Sequence, residues 1–377
     1  MKIAICGAGG VGSAAARFLA REGHEVHILE QFTTDHDRGS SFGESRIIRK
    51  TYPDRLYTQL MNAAYPLWEE LEKEAGESLF VRCGGLTFGK ADNTDLLQTE
   101  DALKAADVPY EWLEPDACNA RYPGLKLLSG ERAIYQADSG FMRASACVRA
   151  QVRLAVKHGA RLIENIKLYK IHAESHGVKL ETSKGDLRFD RLLLCAGPWL
   201  PDLFPSAAPL LKVTRQQYVY LKEQSNSGLY APSRFPVWIH CSGDKRGDMY
   251  GFPSDGRIAG VKLALHGEGE PVHPDHVHRL LDHLHAQELQ AYAAARLPGL
   301  TEIILHSKTC LYTNTPDHHF LIEPLKDVPN AFYIGGLSGH GFKFTVLLGR
   351  IGADGVTGKP SPYDLSRFRL ARLTESK

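Results

Sequence analysis

The spacing of apolar and polar positions changes between a strand and a helix period along the chain, most clearly in the first 30 residues. Lys2 to Cys6 is a short apolar run typical of a buried strand, and a glycine-rich turn follows it. Small and apolar residues then recur at helical spacing, and a second apolar run extends from Glu25 to Leu29. The pattern predicts a strand, a turn, a helix and a second strand at the N-terminus.

The same periods predict elements in the rest of the chain. The stretch from Asp54 to Ala75 has the spacing of a long amphipathic helix, with Asp54 as its N-cap. Further helices are predicted over about 94–106, 145–157 and 275–296, and from Thr345 onwards. Strands are predicted over 81–90, 133–142, 161–171, 177–181, 191–197 and 331–336.

The N-terminal turn contains Gly7, Gly9 and Gly12 in the spacing G-x-G-x-x-G. Between a strand and a helix, this spacing is typical of a dinucleotide-binding unit. Gly7 permits the tight turn, Gly9 lets backbone N–H groups approach a pyrophosphate, and Gly12 lets the helix lie close to the sheet. Glu30, at the end of the second strand, is placed to accept hydrogen bonds from an adenosine ribose. The unit by itself does not distinguish NAD from FAD.

Length and composition restrict the class of protein. A chain of 377 residues is long for one core and predicts two domains, with residues from about 213 to 305 forming a second, sheet-rich one. A net charge of +1 predicts no nucleic-acid partner and no membrane-surface partner, and no apolar window is long enough to span a bilayer. The seven cysteines are scattered and include no C-x-x-C pair, which predicts free thiols and a cytoplasmic location.

A polar loop over 33–45 leads into the sequence SRIIRK. Glycine and serine, followed by an acid and two arginines, suit a loop that contacts phosphate or ribose and then enters the active-site region. Arg46 and Arg49 share a face only in a helical turn and oppose each other in a strand. The two isoleucines between them predict partial burial, where an arginine usually faces a ligand or an acid.

Strand alternation in RIAGVKLALH places Lys262 and His266 on one face, together with Ile258, Gly260 and Ala264. A lysine with such apolar neighbours is either an edge-strand residue that extends to water or a buried cation that lines a pocket. The pattern favours neither alternative.

Two C-terminal segments also contain candidate site residues. Cys310 and Tyr312 have strand spacing and therefore share a face. Gly335, Gly336, Gly339 and Gly341 predict a tight loop before the helix that begins near Thr345. The N-terminus of that helix would stabilise negative charge on a ligand, as develops at the N1–C2 edge of a reduced flavin.

Five histidines are concentrated in the segment 273–285, which raised the possibility of a metal site. They do not form an i, i+4 pair with acids at ligand spacing, so the pattern predicts a solvated face and no metal. The residues concerned are His273, His276, His278, His283 and His285.

Seven separated motifs occur in one order: GAGGVG, GSSFGESRIIRK, LLLCAGPW, YGFP, GVKLALH, CLYTNTPD and GLSGHGFKF. Through them the chain resembles, nearly end to end, the monomeric sarcosine oxidase family of FAD-dependent amine oxidases. The resemblance implies an α/β (α+β) two-domain protein with a Rossmann-type FAD-binding domain and a second domain built on a mostly antiparallel sheet. Residues 1–80, 145–212 and 306–377 would form the discontinuous FAD-binding domain, and 81–144 and 213–305 the substrate-binding domain.

The resemblance also implies residue roles. Cys310 matches a cysteine bonded covalently to the flavin, and Arg46 matches an arginine beside the flavin ring. Lys262 matches a lysine over the flavin face that promotes the reaction with O2, because a fixed cation stabilises the superoxide that forms first. Arg49 and Lys343 match cations that bind the substrate carboxylate. His266 matches a catalytic histidine. The other implied site residues are Tyr250, Tyr312 and His340 in the substrate pocket, and Ser40, Ser41, Gly339, Gly341 and Phe342 at the cofactor.

One departure from the family pattern is Phe42, where the family often has a histidine close to the flavin. Without this histidine, the resemblance alone does not decide whether the flavin is bonded to Cys310, and covalent attachment has to be tested separately. The motifs GSSFGESRIIRK and CLYTNTPD resemble the pipecolate oxidase branch more than the sarcosine branch, which points weakly towards a bulkier or cyclic secondary amine.

The expected activity is oxidation of a secondary or N-methyl α-amino acid to an imine, with FAD as the cofactor and O2 reduced to H2O2. The expected partners are the small-molecule substrate and O2, and the protein is expected to be a monomer. Three alternatives remain: an NAD-dependent dehydrogenase, a flavin dehydrogenase that passes electrons to a partner, and a dinucleotide-binding protein without turnover.

Overall fold

The N-terminal strand, turn, helix and strand form as the periodicity predicts, in a computed structural model that describes residues 1–225 and 228–374. The helices of this part of the chain are α1 (Gly10–Arg21), α2 (Arg55–Ala75), α3 (Thr94–Ala105), α4 (Pro115–Arg121), α5 (Ala144–Lys157), α6 (Leu200–Leu203), α7 (His283–Arg296), α8 (Thr345–Thr357) and α9 (Ala371–Thr374). Its strands are β1 (Lys2–Cys6), β2 (Glu25–Leu29), β3 (Arg46–Ile48), β4 (Phe80–Arg82), β5 (Gly85–Lys90), β6 (Glu111–Leu113), β7 (Glu131–Gln136), β8 (Gly140–Met142), β9 (Arg161–Ile163), β10 (Leu168–Glu174), β11 (Gly177–Thr182), β12 (Gly185–Phe189), β13 (Arg191–Leu194), β14 (Lys212–Glu223), β15 (Val237–Cys241), β16 (Asp248–Gly251), β17 (Val261–His266), β18 (Glu270–Pro271), β19 (Leu300–Asn314), β20 (Leu321–Pro324) and β21 (Ala331–Gly335).

The first layer is a six-stranded sheet in the order β20-β21-β13-β1-β2-β9. All its strands run parallel except β20, which is antiparallel to β21. Its central strands are almost wholly apolar and buried, as expected for a parallel sheet covered on both faces. Helices α1 and α8 approach so closely that a Cβ atom on Gly349 would lie 2.4 Å from the Cβ of Ala14. The ends of β1, β2 and α8 thereby meet at one edge of this sheet.

The second large sheet has nine strands in the order β18-β14-β17-β16-β15-β5-β7-β6, with β19 paired to β14. Its pairs are antiparallel apart from β15 and β5. The expected combination of a Rossmann-type parallel sheet with a mostly antiparallel sheet is confirmed. The division into two domains stays a prediction, and β19 runs through one of its proposed boundaries.

Two three-stranded sheets complete the described architecture. One has the order β3-β8-β4 and holds Arg46 at its end, and the other has the order β10-β11-β12. In the described residues, no helix combines the length and the apolarity that crossing a bilayer requires. All seven cysteines have free thiols.

Several predicted elements were wrong in their bounds. The strands predicted over 81–90 and 133–142 are each two strands that belong to different sheets, β4 and β5 in the first case and β7 and β8 in the second. The helix predicted from residue 275 begins only at His283, because the carboxylate of Asp282 accepts hydrogen bonds from the Leu284 and His285 amides and caps it there. The strand predicted over 161–171 is two strands, β9 and β10, which belong to different sheets. The chain turns between them at Asn165, which has a φ of 55°.

Candidate active site

One cavity extends from the carboxyl ends of β1 and β2 to the face of the large antiparallel sheet made by β14, β16 and β17. Every predicted site residue except Gly12 lines it. These residues are Gly7, Gly9, Glu30, Ser40, Ser41, Arg46, Arg49, Tyr250, Lys262, His266, Cys310, Tyr312, Gly339, His340, Gly341, Phe342 and Lys343.

The glycine-rich turn forms one end of the cavity. Gly7 has a φ of +100°, and a Cβ atom there would lie 2.4 Å from the carbonyl oxygen of Cys195. A Cβ atom on Gly12 would lie 1.9 Å from the carbonyl oxygen of Gly7, so Gly12 packs beneath the turn and does not reach the cavity. The Gly10 amide donates to Ser41 Oγ at 3.0 Å, and this hydrogen bond joins the polar loop over 33–45 to the turn.

Glu30 lies beside this turn and is 4% exposed. Its two carboxylate oxygens accept hydrogen bonds from the amides of Ala8, at 2.8 Å, and Phe32, at 3.0 Å. Burial acts to raise the pKa of Glu30, but hydrogen bonds from His36 and these two amides hold it below its ordinary value. The carboxylate is therefore ionised and can accept further hydrogen bonds from a ribose.

Two buried hydroxyls in the cavity wall have no hydrogen-bond partner in the described part of the chain. They are Thr34 Oγ1, in the loop after β2, and Thr345 Oγ1, at the N-terminus of α8. Unsatisfied buried hydroxyls are unusual and point to a ligand with polar atoms. Together with the glycine-rich turn and Glu30, these two hydroxyls fit an elongated dinucleotide such as FAD.

Arg46 occupies the middle of the cavity. Its guanidinium donates to the carbonyl oxygens of Ser45 at 2.9 Å, Ser40 at 3.1 Å and Phe42 at 2.6 Å. Within residues 1–225 and 228–374 it forms no ion pair within 4.0 Å. The expectation from the two isoleucines holds, since β3 is partly buried. Arg49 lines the same cavity. It lies just after the last residue of β3, so the alternation of the strand does not place it on the opposite face from Arg46.

Lys262 is a buried cation that lines the cavity, which decides between the two alternatives left open by the sequence. β17 lies between β14 and β16, so Lys262 is on a central strand and is 2% exposed. Its Nζ donates to the carbonyl oxygen and the hydroxyl of Ser45, at 3.1 and 3.2 Å. It also lies 4.2 Å from the ring centroid of Tyr218. Burial, and then the charge of Arg46, lower the pKa of Lys262 well below its ordinary value.

A second buried lysine, Lys343, lies in the glycine-rich loop before α8. Its Nζ donates to the hydroxyl of Tyr52 and the carbonyl oxygen of His340, both at 2.8 Å. The Arg49 guanidinium lies 4.3 Å from the ring centroid of the same Tyr52. Burial and the charge of Arg49 lower the pKa of Lys343 well below its ordinary value. Neither cation forms an ion pair with an acid in the described residues.

The polar side chains around these cations are neutral. Burial, and then the charges of Lys343 and Arg49, lower the pKa of His266 to about 4. Its Nδ1 lies 3.2 Å from the Tyr312 hydroxyl, so the two share a hydrogen bond. Burial raises the pKa of Tyr250 to about 12 and that of Tyr312 well above its ordinary value.

Cys310 lies next to the same cluster and shares the cavity-facing side of β19 with Tyr312, as the spacing predicted. Burial raises the pKa of the Cys310 thiol, whereas the charges of Arg46 and Lys262 act to lower it. Phe42, at the departure from the family pattern, also lines the cavity, with Lys308 Nζ 5.0 Å from its ring centroid.

Several residues in or next to the cavity were missed by the sequence analysis. Tyr52 and Ser45 hold the two buried lysines, and Tyr218 and Phe252 place aromatic rings against Lys262. Asp248 is the other omission; the alternation in D-M-Y-G places it on the same face as Tyr250 and was the available signal. The histidines of the segment 273–285 lie outside the cavity and are exposed apart from the half-buried His285. In the described residues, no group of three or more His, Cys, Asp or Glu side chains is arranged to hold a metal ion.

Comparison with known proteins gives consistent results. The sequence model of the FAD dependent oxidoreductase family matches residues 2–355. The chain is 32% identical over 377 residues to N-methyl-L-tryptophan oxidase of Salmonella enteritidis PT4, covering 98% of each chain. It is 32% identical over 375 residues to monomeric sarcosine oxidase of Streptomyces avermitilis, covering 98% of this chain and 97% of the relative.

Solved structures show the same fold. The structure of NikD, described as an unusual amino acid oxidase essential for nikkomycin biosynthesis, matches with a TM-score of 0.85 and 25% identity, over 98% of this chain and 96% of NikD. L-proline dehydrogenase from P. horikoshii matches with a TM-score of 0.86 at 20% identity, over 100% of this chain and 98% of that one.

Proposed function

Because the chain belongs to the FAD dependent oxidoreductase family, we propose that it oxidises a secondary or N-methyl α-amino acid to the imine, with O2 as the electron acceptor. The amine loses two electrons and two protons, and O2 takes them up to give H2O2. The observation that carries the proposal is the pair of cations, Arg49 and Lys343, that converge on Tyr52 without an acidic partner in the described residues. The named activities of the relatives support the same class of substrate.

The two cations would bind the substrate carboxylate. Arg49 donates to Thr51 Oγ1 at 3.3 Å, and among the described residues its guanidinium has no other hydrogen-bond partner, which leaves donors for a ligand. Lys343 is fixed by the Tyr52 hydroxyl and the His340 carbonyl, so its charge is held in place before the substrate arrives. A carboxylate between them would satisfy both charges and hold the reacting carbon in one orientation.

FAD, when bound, supplies the chemistry that accepts the electrons of the amine and passes them to O2. The glycine-rich turn, Glu30, Ser41 and the Thr345 hydroxyl would hold it, with Arg46 on the carbonyl-lined side of the cavity. Lys262 would place a fixed positive charge where O2 becomes negative. Its hydrogen bonds to Ser45 keep the Nζ in position without neutralising it.

The charges of the cavity also act on the substrate amine. Arg49 is positive, Lys343 and Lys262 add positive charge in their protonated forms, and His266 is neutral at neutral pH because its pKa is about 4. A positive surrounding lowers the pKa of a bound ammonium and favours the neutral amine. The neutral amine has the lone pair that imine formation requires, so no separate strong base is needed.

We further propose that Cys310 Sγ forms a thioether with a methyl carbon of the bound flavin. The S–H bond and one methyl C–H bond would break, and the two electrons and two protons released would pass to O2 to give H2O2. The thiol is free and lines the cavity, and two nearby cations oppose the rise in its pKa that burial causes. Acid precipitation tests this directly, since a covalent flavin leaves its yellow colour in the pellet. The Cys310→Ser variant should release the flavin into the supernatant, and a wild-type protein that does the same would contradict the link.

The activity itself is tested by incubating purified protein in air with a panel of primary, secondary and N-methyl amino acids and measuring peroxide. The expected result is a flavin spectrum and peroxide from the secondary amines. Turnover with an artificial electron acceptor but no peroxide in air would indicate a dehydrogenase instead. Reduction of added NAD without a bound yellow chromophore would refute the proposal.

A further inference from the structure

The imidazole of His340 lines the cavity, but both of its ring nitrogens are engaged by the protein. Its Nδ1 lies 3.3 Å from the Tyr52 hydroxyl, and its Nε2 lies 3.0 Å from the carbonyl oxygen of His318. The ring centroid lies 4.7 Å from that of Phe320 and 5.0 Å from that of Tyr57, so aromatic rings pack against the imidazole in this orientation. His340 can therefore act on a bound substrate through Tyr52.

The His318 carbonyl determines which ring nitrogen of His340 carries the proton. A carbonyl oxygen only accepts hydrogen bonds, so Nε2 must be the N–H group. Burial, and then the charge of Lys343, lower the pKa of His340 well below its ordinary value, which keeps the ring neutral at neutral pH. A neutral imidazole with its proton on Nε2 has a lone pair on Nδ1. Nδ1 is therefore the acceptor in the hydrogen bond with Tyr52.

The Tyr52 hydroxyl extends this chain of hydrogen bonds to Lys343. Burial raises the pKa of Tyr52, so the hydroxyl keeps its proton and donates it to Nδ1 of His340. The hydroxyl oxygen then accepts from Lys343 Nζ at 2.8 Å, and a second N–H of Lys343 donates to the His340 carbonyl oxygen at 2.8 Å. A protonated lysine has three N–H donors, so one is left for a ligand in the cavity that Lys343 lines.

The backbone of Lys343 is fixed by contacts outside this chain of hydrogen bonds. Trp68 Nε1 donates to the Lys343 carbonyl oxygen at 2.8 Å, and α8 begins two residues later at Thr345. Without an acceptor at Nδ1 of His340, the Tyr52 O–H group could rotate towards Lys343 Nζ, where its proton would oppose the ammonium. The His340 ring therefore controls the direction of the Nζ and leaves the backbone in place.

We propose that His340 is a positioning residue for the substrate carboxylate: its Nε2–H tautomer orients the Tyr52 hydroxyl, so that Lys343 directs its third N–H into the cavity. This inference rests on the proposed function, because it assumes that Lys343 binds the carboxylate. His340 takes no part in proton or electron transfer to the flavin.

The tautomer is tested first, on wild-type holoprotein that contains isotopically labelled histidine. The ring nitrogens of His340 are assigned in the NMR spectrum by the signals that disappear in His340→Gln. The expected result at neutral pH is a proton on Nε2 and a bare Nδ1. A proton on Nδ1, or on both nitrogens, would overturn the inference.

Two substitutions then separate the two hydrogen bonds of the ring. His340→Asn places an amide oxygen level with Nδ1 and keeps an acceptor for Tyr52, whereas His340→Gln reaches the His318 carbonyl but offers Tyr52 no acceptor at that level. For an N-methyl amino acid that the wild type oxidises, His340→Gln should raise KM about 10-fold and change kcat less, because one oriented hydrogen bond is lost. His340→Asn should restore KM to within about 3-fold of wild type. KM for the corresponding amino-acid amide should not differ among the three proteins.

His319→Gln is the matched control. His319 Nδ1 lies 2.9 Å from the Tyr57 hydroxyl, so this variant breaks a neighbouring hydrogen bond between a histidine and a tyrosine. Neither His319 nor Tyr57 lines the cavity, and neither is bonded to a cavity lysine. KM of this variant should therefore equal that of wild type for the acid and for the amide.

Other results overturn the inference and leave the proposed function intact. They are equal KM values in His340→Gln and His340→Asn, a rise that is as large in His319→Gln, and an equal rise for the acid and the amide. If no amine of the panel yields peroxide in wild type, the proposed function fails and the inference fails with it. Should His340→Gln lose its flavin, the tautomer of the wild-type protein decides.

Discussion

The two ends of the cavity are lined by different kinds of chemical group. At the dinucleotide end, most contacts come from the N-terminal stretch up to Ser41, as backbone amides, glycine Cα positions and short hydroxyls, and Thr345 of α8 adds one more hydroxyl. Glu30 is the charged residue of this stretch, and its carboxylate is held by two backbone amides. Local sequence determines this geometry, because a strand, a turn and a helix follow one another without a break.

At the substrate end, the functional groups are charged side chains from segments that are far apart in the sequence. Arg49, Lys262 and Lys343 come from the β3 region, from β17 and from the loop before α8. Each cation is held by carbonyls, hydroxyls or aromatic rings and lacks an acidic partner in the described residues. The dinucleotide end therefore leaves neutral hydroxyls for its ligand, whereas the substrate end keeps unbalanced charge for a substrate.

The comparison is tested most strongly at Lys262. Lys262→Met keeps the volume but removes the charge, so oxidation of the reduced flavin by O2 should slow about 10²- to 10³-fold. Reduction of the flavin by the amine under anaerobic conditions should change far less. Stopped-flow measurement of the two half-reactions checks both, and an unchanged oxygen reaction would contradict the role of the charge.

Removing the guanidinium at position 49 should have the next largest effect. Arg49→Gln should raise KM for a carboxylate substrate about 10- to 100-fold, because a charged hydrogen bond is lost. The corresponding amino-acid amides, which lack the carboxylate charge, should show little change. Equal losses for acids and amides would mean that Arg49 shapes the pocket without binding the carboxylate.

A Cβ atom at Gly12 tests the dinucleotide end. Gly12→Ala would force Gly12 and the Gly7 carbonyl apart, since the new atom would lie 1.9 Å from that oxygen. We expect about 10- to 100-fold weaker FAD binding, seen as a low flavin-to-protein ratio after purification. Gly23→Ala is the control for an added methyl group without a clash, because Gly23, unlike Gly12, has a positive φ of 83° but has nothing within 4 Å of the added atom.

The rate of the oxygen reaction should depend on pH because Lys262 is a buried titratable group. Since the pKa of Lys262 is lowered well below 10.5, the oxygen reaction should slow as pH rises through this lowered value and the charge is lost. Lys262→Arg should keep its charge and move the decline to higher pH. A wild-type oxygen reaction that stays constant up to pH 10 would contradict a role for the protonated lysine.

The smallest predicted effect concerns stability, and its sign is opposite. Lys262→Met should raise the free energy of unfolding by at least about 1 kcal/mol at a pH below the lowered pKa, where the folded state contains the buried charge. The advantage should shrink as pH rises from that value towards 10.5, because the wild-type lysine then folds in its neutral form. Denaturant titration of the two proteins at equal flavin occupancy measures the difference, and a less stable variant would contradict the prediction.

The elements of the fold that could be predicted from the sequence are those that depend on residues close together in the chain. The N-terminal unit, α2 with its Asp54 cap and the start of α8 were predicted because periodicity and capping act within a few residues. The start of α7 was predicted too early, since regular spacing alone did not show that Asp282 caps the helix there.

The sequence by itself determined that this protein has a dinucleotide turn and cavity-facing alternation in β17 and β19, because both depend on neighbouring residues. Only the tertiary structure decided that Lys262 is buried, since burial requires β14 and β16 on either side of its strand. It likewise decided that Arg49 and Lys343 converge on Tyr52 and that the His340 ring is bonded to the same hydroxyl. The balance of charge in a cavity depends on residues far apart in sequence, and only folding brings them within range of one another.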